Sequence, residues 1–207
     1  MTVNAVVFDF GGVLFDWNPE YLYRELIPDA TERARFLSEV CSPAWNLRQD
    51  AGRPLREATE QLAAEHPAQA GLIRAFYGRW PQMLRGPLAG GVDLLERLHA
   101  ARVPLFGLTN WSSETYPHAR RMGDFLHVFR DILVSGEVGV AKPDPAIYRL
   151  MQERVGAHLP GIAPREILFI DDNAANVAAA AALGWQAVHH VGAAGTELAL
   201  REAGVRF

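Results

Sequence analysis

The chain has 207 residues, 49% hydrophobic, 21% charged and 10% aromatic, with a formal charge of -4; that suits one α/β core carrying a modest insertion and is short for two full-sized domains. The charge is small and no long single-sign run occurs, which argues against nucleic acid or a membrane surface as partner. No stretch of about 18 uninterrupted apolar residues offers a membrane span, and the N-terminal run from Met1 to Phe8 lacks a basic leader, so a cytoplasmic protein is expected.

Residues 3–8 form the first β-rich run, and it ends on Asp9, followed by Phe10, Gly11 and Gly12. Residues 17–87 then carry helical signals without a convincing strand. Asn18-Pro19 reads as a helix cap and first turn, Asp29-Ala-Thr-Glu32 resembles a capping box, and residues 54–65 and 72–84 look like amphipathic helices. The single cysteine, Cys41, has no partner for a disulfide or a zinc site and reads as a small buried hydrophobe. Between the helices of this segment, Trp45, Arg48 and Gln49 are candidates to face a substrate.

From residue 88 strands and helices alternate. Residues 103–108 form a strand that ends on Thr109-Asn110, with Trp111 beyond it, and residues 132–135 form the next. Lys142 follows on a loop bounded by Pro143. A helix from Pro145 places Ile147, Leu150, Met151 and Val155 on one face and stops at Gly156. Residues 167–170 form a strand ending on Asp171-Asp172, a further helix runs to Gly184, and residues 187–190 close the pattern on His189-His190, which read as structural or exposed. Strand then helix, repeated, predicts a doubly wound parallel sheet of Rossmann-like type: a core of residues 1–16 and 88–207 with an inserted helical cap, 17–87.

In such a sheet ligands bind beyond the carboxyl ends of the strands, so the polar residues at four strand ends carry the chemistry. Asp9 supplies a carboxylate beside two glycines that let backbone approach a ligand. Thr109 and Asn110 supply hydrogen-bond donors for an anionic oxygen, and Lys142 supplies a point charge suited to phosphate. Asp171 and Asp172 are paired carboxylates that repel unless a cation lies between them and Asp9.

With motifs at Asp9, Thr109, Lys142 and Asp171-Asp172, the sequence resembles the haloacid dehalogenase superfamily of hydrolases over nearly its whole length. FDFGGVLFDWNP, GLTNWSSETYP, KPDPAIY and FIDDNAANV resemble sugar-phosphate phosphatases of the α-glucose-1-phosphate phosphatase type. The resemblance implies a hydrolase in which Asp9 attacks phosphorus and water then cleaves the aspartyl-phosphate. It further implies Mg²⁺ held by Asp9, the Gly11 carbonyl and Asp172, with Asp171 behind them, and phosphoryl oxygens held by Thr109, Asn110 and Lys142.

Most phosphatases of that family carry a second aspartate two positions after the nucleophile, and here Gly11 stands there. General acid-base help is worth about 10²–10⁴ in rate, so a leaving group of low pKa, such as that of a sugar 1-phosphate or acyl phosphate, or a carboxyl from Asp16 is expected to compensate. The missing aspartate raises a 2-haloacid dehalogenase as an alternative, against which the retained acidic pair counts, and a catalytically silent binding protein as another. Substrate selection is expected from Trp45 and Arg48 in the cap. The expected partner is a small phosphorylated metabolite, bound by a monomer or homodimer.

Overall fold

The computed structural model describes residues 3–207; Met1 and Thr2, part of the N-terminal run read above for a leader, lie outside them. Five strands form one parallel sheet: β1 (Ala5–Phe8), β4 (Leu105–Thr109), β5 (Asp131–Val134), β6 (Ile167–Asp171) and β7 (Gln186–His189), in the order β5-β4-β1-β6-β7. β1 is central, pairing Val6 with Leu105 on one side and with Leu168 on the other.

Period-2 alternation sends successive residues of β1 to opposite faces, and the packing follows it. Val6 and Phe8 join Leu105, Leu168 and Ile170 in one cluster, with Leu94, Leu95 and Leu98 of α6 (Ala89–Ala100). Ala5 and Val7 join Phe106, Leu108 and Phe169 in a second, with Ile147, Tyr148, Met151 and Val155 of α9 (Pro145–His158). Both faces are covered, which is why these strands read as continuous apolar runs. The chain winds outward from β1 to β4 and β5, then crosses to β6 and β7, so the direction reverses beside β1 and leaves a crevice at its carboxyl end.

Between β1 and β4 lies a mainly helical excursion: α1 (Glu20–Leu26), α2 (Ala30–Arg35), α3 (Pro43–Asp50), α4 (Leu55–Glu65) and α5 (Ala70–Gly78). Asp29 caps α2 by accepting the Glu32 backbone N–H at 2.8 Å, and Asn18 accepts that of Glu20 at 2.9 Å ahead of α1. The excursion enters through β2 (Phe15–Trp17) and leaves through β3 (Leu84–Pro87), which pair antiparallel. Neither strand is expected from the residue pattern. The 72–84 helix ends early, α5 stopping at Gly78 and a 3₁₀ turn covering Trp80–Met83 before β3 begins at Leu84. Strands of three and four residues, one containing Gly86 and Pro87, carry too little periodicity to be seen.

The excursion has an aromatic core in which the Trp45 ring lies 5.3 Å from Phe76 and 5.4 Å from Tyr77. Cys41 is buried in the same cluster, and desolvation pushes its thiol up to about 12. Native protein is therefore expected to resist iodoacetamide near neutral pH, whereas urea-unfolded chain is alkylated; rapid loss of the free thiol from folded protein would contradict this packing. No helix among the described residues is long and apolar enough to cross a membrane.

The remaining helices are α7 (Tyr116–Met122), α8 (Ser135–Val138), α10 (Ala174–Ala182) and α11 (Ala193–Glu202). The β4–α7 and β5–α8 connections, with the loop before α9, deliver polar residues to the carboxyl edge of the sheet.

Candidate active site

Asp9 leaves β1 at the crevice, buried, with one carboxylate oxygen accepting the Phe10 backbone N–H at 2.7 Å. The loop before α9 brings in Lys142, which is fully enclosed. Its ammonium lies 2.7 Å from Asp9 and 2.7 Å from Asp171, and it donates to the Leu108 carbonyl at 2.9 Å, so all three protons are used. Asn110 holds that loop in place: its side-chain oxygen accepts the Lys142 N–H and its amide donates to the Lys142 carbonyl, both at 2.8 Å. The Asn110 carboxamide, expected on the phosphoryl group, is thus committed to positioning Lys142.

Asp171 is fully buried at the end of β6. It accepts from Lys142, from the Asn173 backbone N–H at 2.8 Å and from the Asn176 amide at 3.1 Å on both oxygens. Asp172 is exposed, and together Asp9, Asp171 and Asp172 offer oxygens all within 4.8 Å of one another. One ammonium faces three carboxylates. Burial, then repulsion from Asp171, raise the Asp9 pKa well above the usual carboxylate range, and the same two causes raise that of Asp172. Burial alone lowers the Lys142 pKa, but Asp9 and Asp171 outweigh it and keep the ammonium charged. The excess negative charge on hard oxygen ligands fits a divalent cation of the Mg²⁺ class.

Gly12 makes this approach possible. Its φ is +68°, and a Cβ there would overlap Asp172 Oδ2. Gly12→Ala is expected to displace Asp172 and raise the concentration of divalent cation needed for half-maximal activity by about 10–100-fold. A metal titration of activity checks this, and an unchanged midpoint would separate Asp172 from the cation.

Thr109, at the end of β4, is buried, and its hydroxyl has no hydrogen-bond partner among the described residues. A buried unsatisfied hydroxyl costs about 1–3 kcal/mol, so its place beside Asp9 and Lys142 suits an anionic oxygen of a ligand. A small cavity of about 60 Å³ opens between helical excursion and core, lined by Gly11, Trp17, Asn46, Asp50, Trp80, Asn110, Trp111 and Thr115. The two parts are latched beside it: the Ser112 N–H donates to the Asp50 carboxylate at 3.1 Å, the Ser135 hydroxyl donates to the Asp50 carbonyl, and the Leu55 N–H donates to Glu114 at 2.8 Å.

Several expected site residues lie elsewhere. Trp45 is filling for the aromatic core of the excursion, and Gln49 is buried with its amide donating to the Trp45 carbonyl. Arg48 is exposed and lines a separate cleft with Glu39, Glu65 and His66. Asp16 accepts the Tyr21 hydroxyl at 2.7 Å, with Arg85 stacked 3.6 Å from the Tyr21 ring, and does not line the cavity. Trp111 lines the cavity. His189 bonds the Asp172 carbonyl and His190 bonds Thr196.

The family model of haloacid dehalogenase-like hydrolases matches residues 3–184. The sesquiterpene phosphatase astK of Aspergillus oryzae is 27% identical over 202 residues, 97% of this chain and 96% of that protein. Among solved structures, a haloacid dehalogenase family enzyme of Bacteroides thetaiotaomicron, BT-2542 in complex with magnesium, superposes with a TM-score of 0.69 at 21% identity, covering 92% of this chain and 94% of its own. L-2-haloacid dehalogenase of Xanthobacter autotrophicus superposes with a TM-score of 0.60 at 21% identity, covering 90% and 76%. At such identities the two structures share the fold.

Proposed function

The chain belongs to the haloacid dehalogenase-like hydrolases, and from that premise we propose that it is a Mg²⁺-dependent phosphatase acting on a small phosphorylated metabolite through an aspartyl-phosphate on Asp9. The observation that carries this reading is the set of three carboxylates with oxygens within 4.8 Å of one another, of which a single ammonium pairs with two. An anionic haloacid would meet uncompensated negative charge there, whereas a phosphate monoester brought with a divalent cation meets a neutralised site.

Asp9 attacks phosphorus in line with the departing ester oxygen, and water later releases phosphate from the Asp9 carboxyl. A divalent cation held by Asp9, the Gly11 carbonyl and Asp172 would offset the repulsion between carboxylate and phosphate. The free Thr109 hydroxyl donates to an equatorial oxygen, the positive charge of Lys142 stabilises those oxygens as charge moves onto them, its proton on Asp9 being released once that carboxylate bonds phosphorus, and Asp171 with Asn110 keeps Lys142 aimed. The likeness to the sesquiterpene phosphatase over nearly the whole chain supports phosphate as the group removed. The indole walls of the cavity, from Trp17, Trp80 and Trp111, suit a leaving group with an apolar or ring face.

Phosphate release should be measured across sugar 1-phosphates, acyl phosphates, nucleotides and prenyl phosphates, with Mg²⁺ or with EDTA, alongside halide release from 2-chloropropionate. Release of phosphate that EDTA abolishes is expected. Metal-independent halide release would replace this reading with a dehalogenase.

A further inference from the structure

We propose that Asp50, carried by α3, is the general acid and base of the reaction, giving its proton to the departing ester oxygen from the cavity that Gly11 and Asn110 also line. The proposal rests on the phosphatase reading. An alkoxide leaves phosphorus reluctantly unless it is protonated, and water attacks the aspartyl-phosphate poorly unless a base takes its proton. The carboxylates nearest the crevice have other parts: Asp9 is the nucleophile, Asp171 is bonded to Lys142, Asp172 belongs to the cluster that would hold the cation, and Asp16 is turned to Tyr21. Gly11 has no side chain, and a Cβ there would meet nothing within 4 Å, so the floor of the cavity is open.

Among the described residues, Asp50 is the one carboxyl that lines this cavity together with Gly11 and Asn110. Its position is set from two sides. The Ser112 N–H donates to one oxygen at 3.1 Å and the Asn46 amide donates to the other at 2.7 Å, while the Tyr77 hydroxyl donates to the Asn46 oxygen at 2.8 Å and so fixes which way that amide faces. Each carboxyl oxygen keeps a lone pair, so the group can carry a proton without losing either bond. Desolvation pushes the Asp50 pKa up to about 7, with the Ser112 hydrogen bond opposing it, which keeps acid and base forms both accessible near neutrality. Trp17 and Trp111 also line the cavity, and their indole N–H groups are buried without partners among the described residues.

The step balances. As the Asp9 oxygen bonds to phosphorus, the ester P–O bond breaks and the departing oxygen takes the Asp50 proton, leaving an alcohol, aspartyl-phosphate and the Asp50 carboxylate. Water then adds to phosphorus, its proton returns to Asp50, and the bond between phosphorus and Asp9 breaks.

The test is kcat/KM at saturating Mg²⁺ for p-nitrophenyl phosphate, whose leaving group needs no proton, and for phenethyl phosphate, whose alkoxide does. This ratio reports the steps up to cleavage of the ester and is blind to the later attack of water. Asp50→Asn, which keeps an acceptor for Ser112, is expected to lower the phenethyl value by on the order of 10²–10⁴-fold and the p-nitrophenyl value far less. Asn46→Ala, which removes the amide holding Asp50, should show the same selectivity in weaker form and serves if Asp50→Asn does not fold. Equal losses on both esters, or none, would show Asp50 to be only a latch between excursion and core and overturn the proposal alone. Wild-type protein that releases phosphate from neither ester overturns the phosphatase reading and the proposal together.

Discussion

Asp9→Asn is expected to lower phosphate release by on the order of 10⁴–10⁶-fold, the loss seen when a nucleophile is removed from an otherwise assembled site. The amide has the shape of the carboxylate but cannot attack phosphorus. Its effect on stability should be opposite in sign or absent, because Asp9 is buried against Asp171 and relief of that repulsion offsets the lost ion pair with Lys142. A thermal midpoint that holds or rises while activity vanishes separates chemistry from folding. Acid-quenched wild-type enzyme, digested and weighed during turnover, should carry phosphate on the peptide containing Asp9, and the variant should carry none. Phosphate on a different peptide, or residual activity within about 10-fold of wild type, would move the nucleophile elsewhere.

Lys142→Met is the substitution expected to damage the fold most. The ammonium is the positive charge held between two carboxylates, and Asp171 is fully buried. Methionine fills similar volume but leaves two acids uncompensated, and breaking a buried pair from one side costs about 3–5 kcal/mol. Denaturant unfolding checks the magnitude. The sign with pH also follows for Asp9: its folded-state pKa lies above its unfolded one, so its ionised form opposes folding, and acidification that protonates it should narrow the deficit. Adding Asp171→Asn should recover much of the stability without recovering activity, since the phosphoryl oxygens still lack their charge. A Lys142→Met protein as stable as wild type would mean that water reaches this cluster.

The chemistry was legible because the ends of β1, β4 and β6 in a doubly wound sheet must converge; Lys142, expected at a fourth strand end, reaches them from the loop between α8 and α9 instead. Runs such as residues 3–8 and 167–170 are apolar throughout, as strands covered on both faces must be, and each ends on a polar residue that has nowhere to point but the crevice. The acidic cluster beside Lys142 follows from that topology and from the charges. Asn110 and Asp171 are different: their type and place were readable, but whether each faces a ligand or props Lys142 is set by the few ångströms that separate the loop before α9 from β4 and β6.

The core strands, their polar ends and the identity of the charged groups were thus determined by the sequence alone, because burial on two faces dictates composition and composition is local. Helix phase was not. The segment from Pro43 to Pro54 was read as lying between two helices, with Trp45, Arg48 and Gln49 as candidates to face the substrate; it holds α3, in which Trp45 and Gln49 turn inward, Arg48 faces solvent, and Asn46 with Asp50 lie four residues apart on the face over the cavity. A part-turn rotation of α3 would exchange these roles, and its polar side chains give the rotation no preferred direction. The direction is chosen by distant partners, Phe76 and Tyr77 drawing Trp45 inward and Ser112 and Ser135 catching Asp50 from the core, and those contacts exist only once the chain is folded.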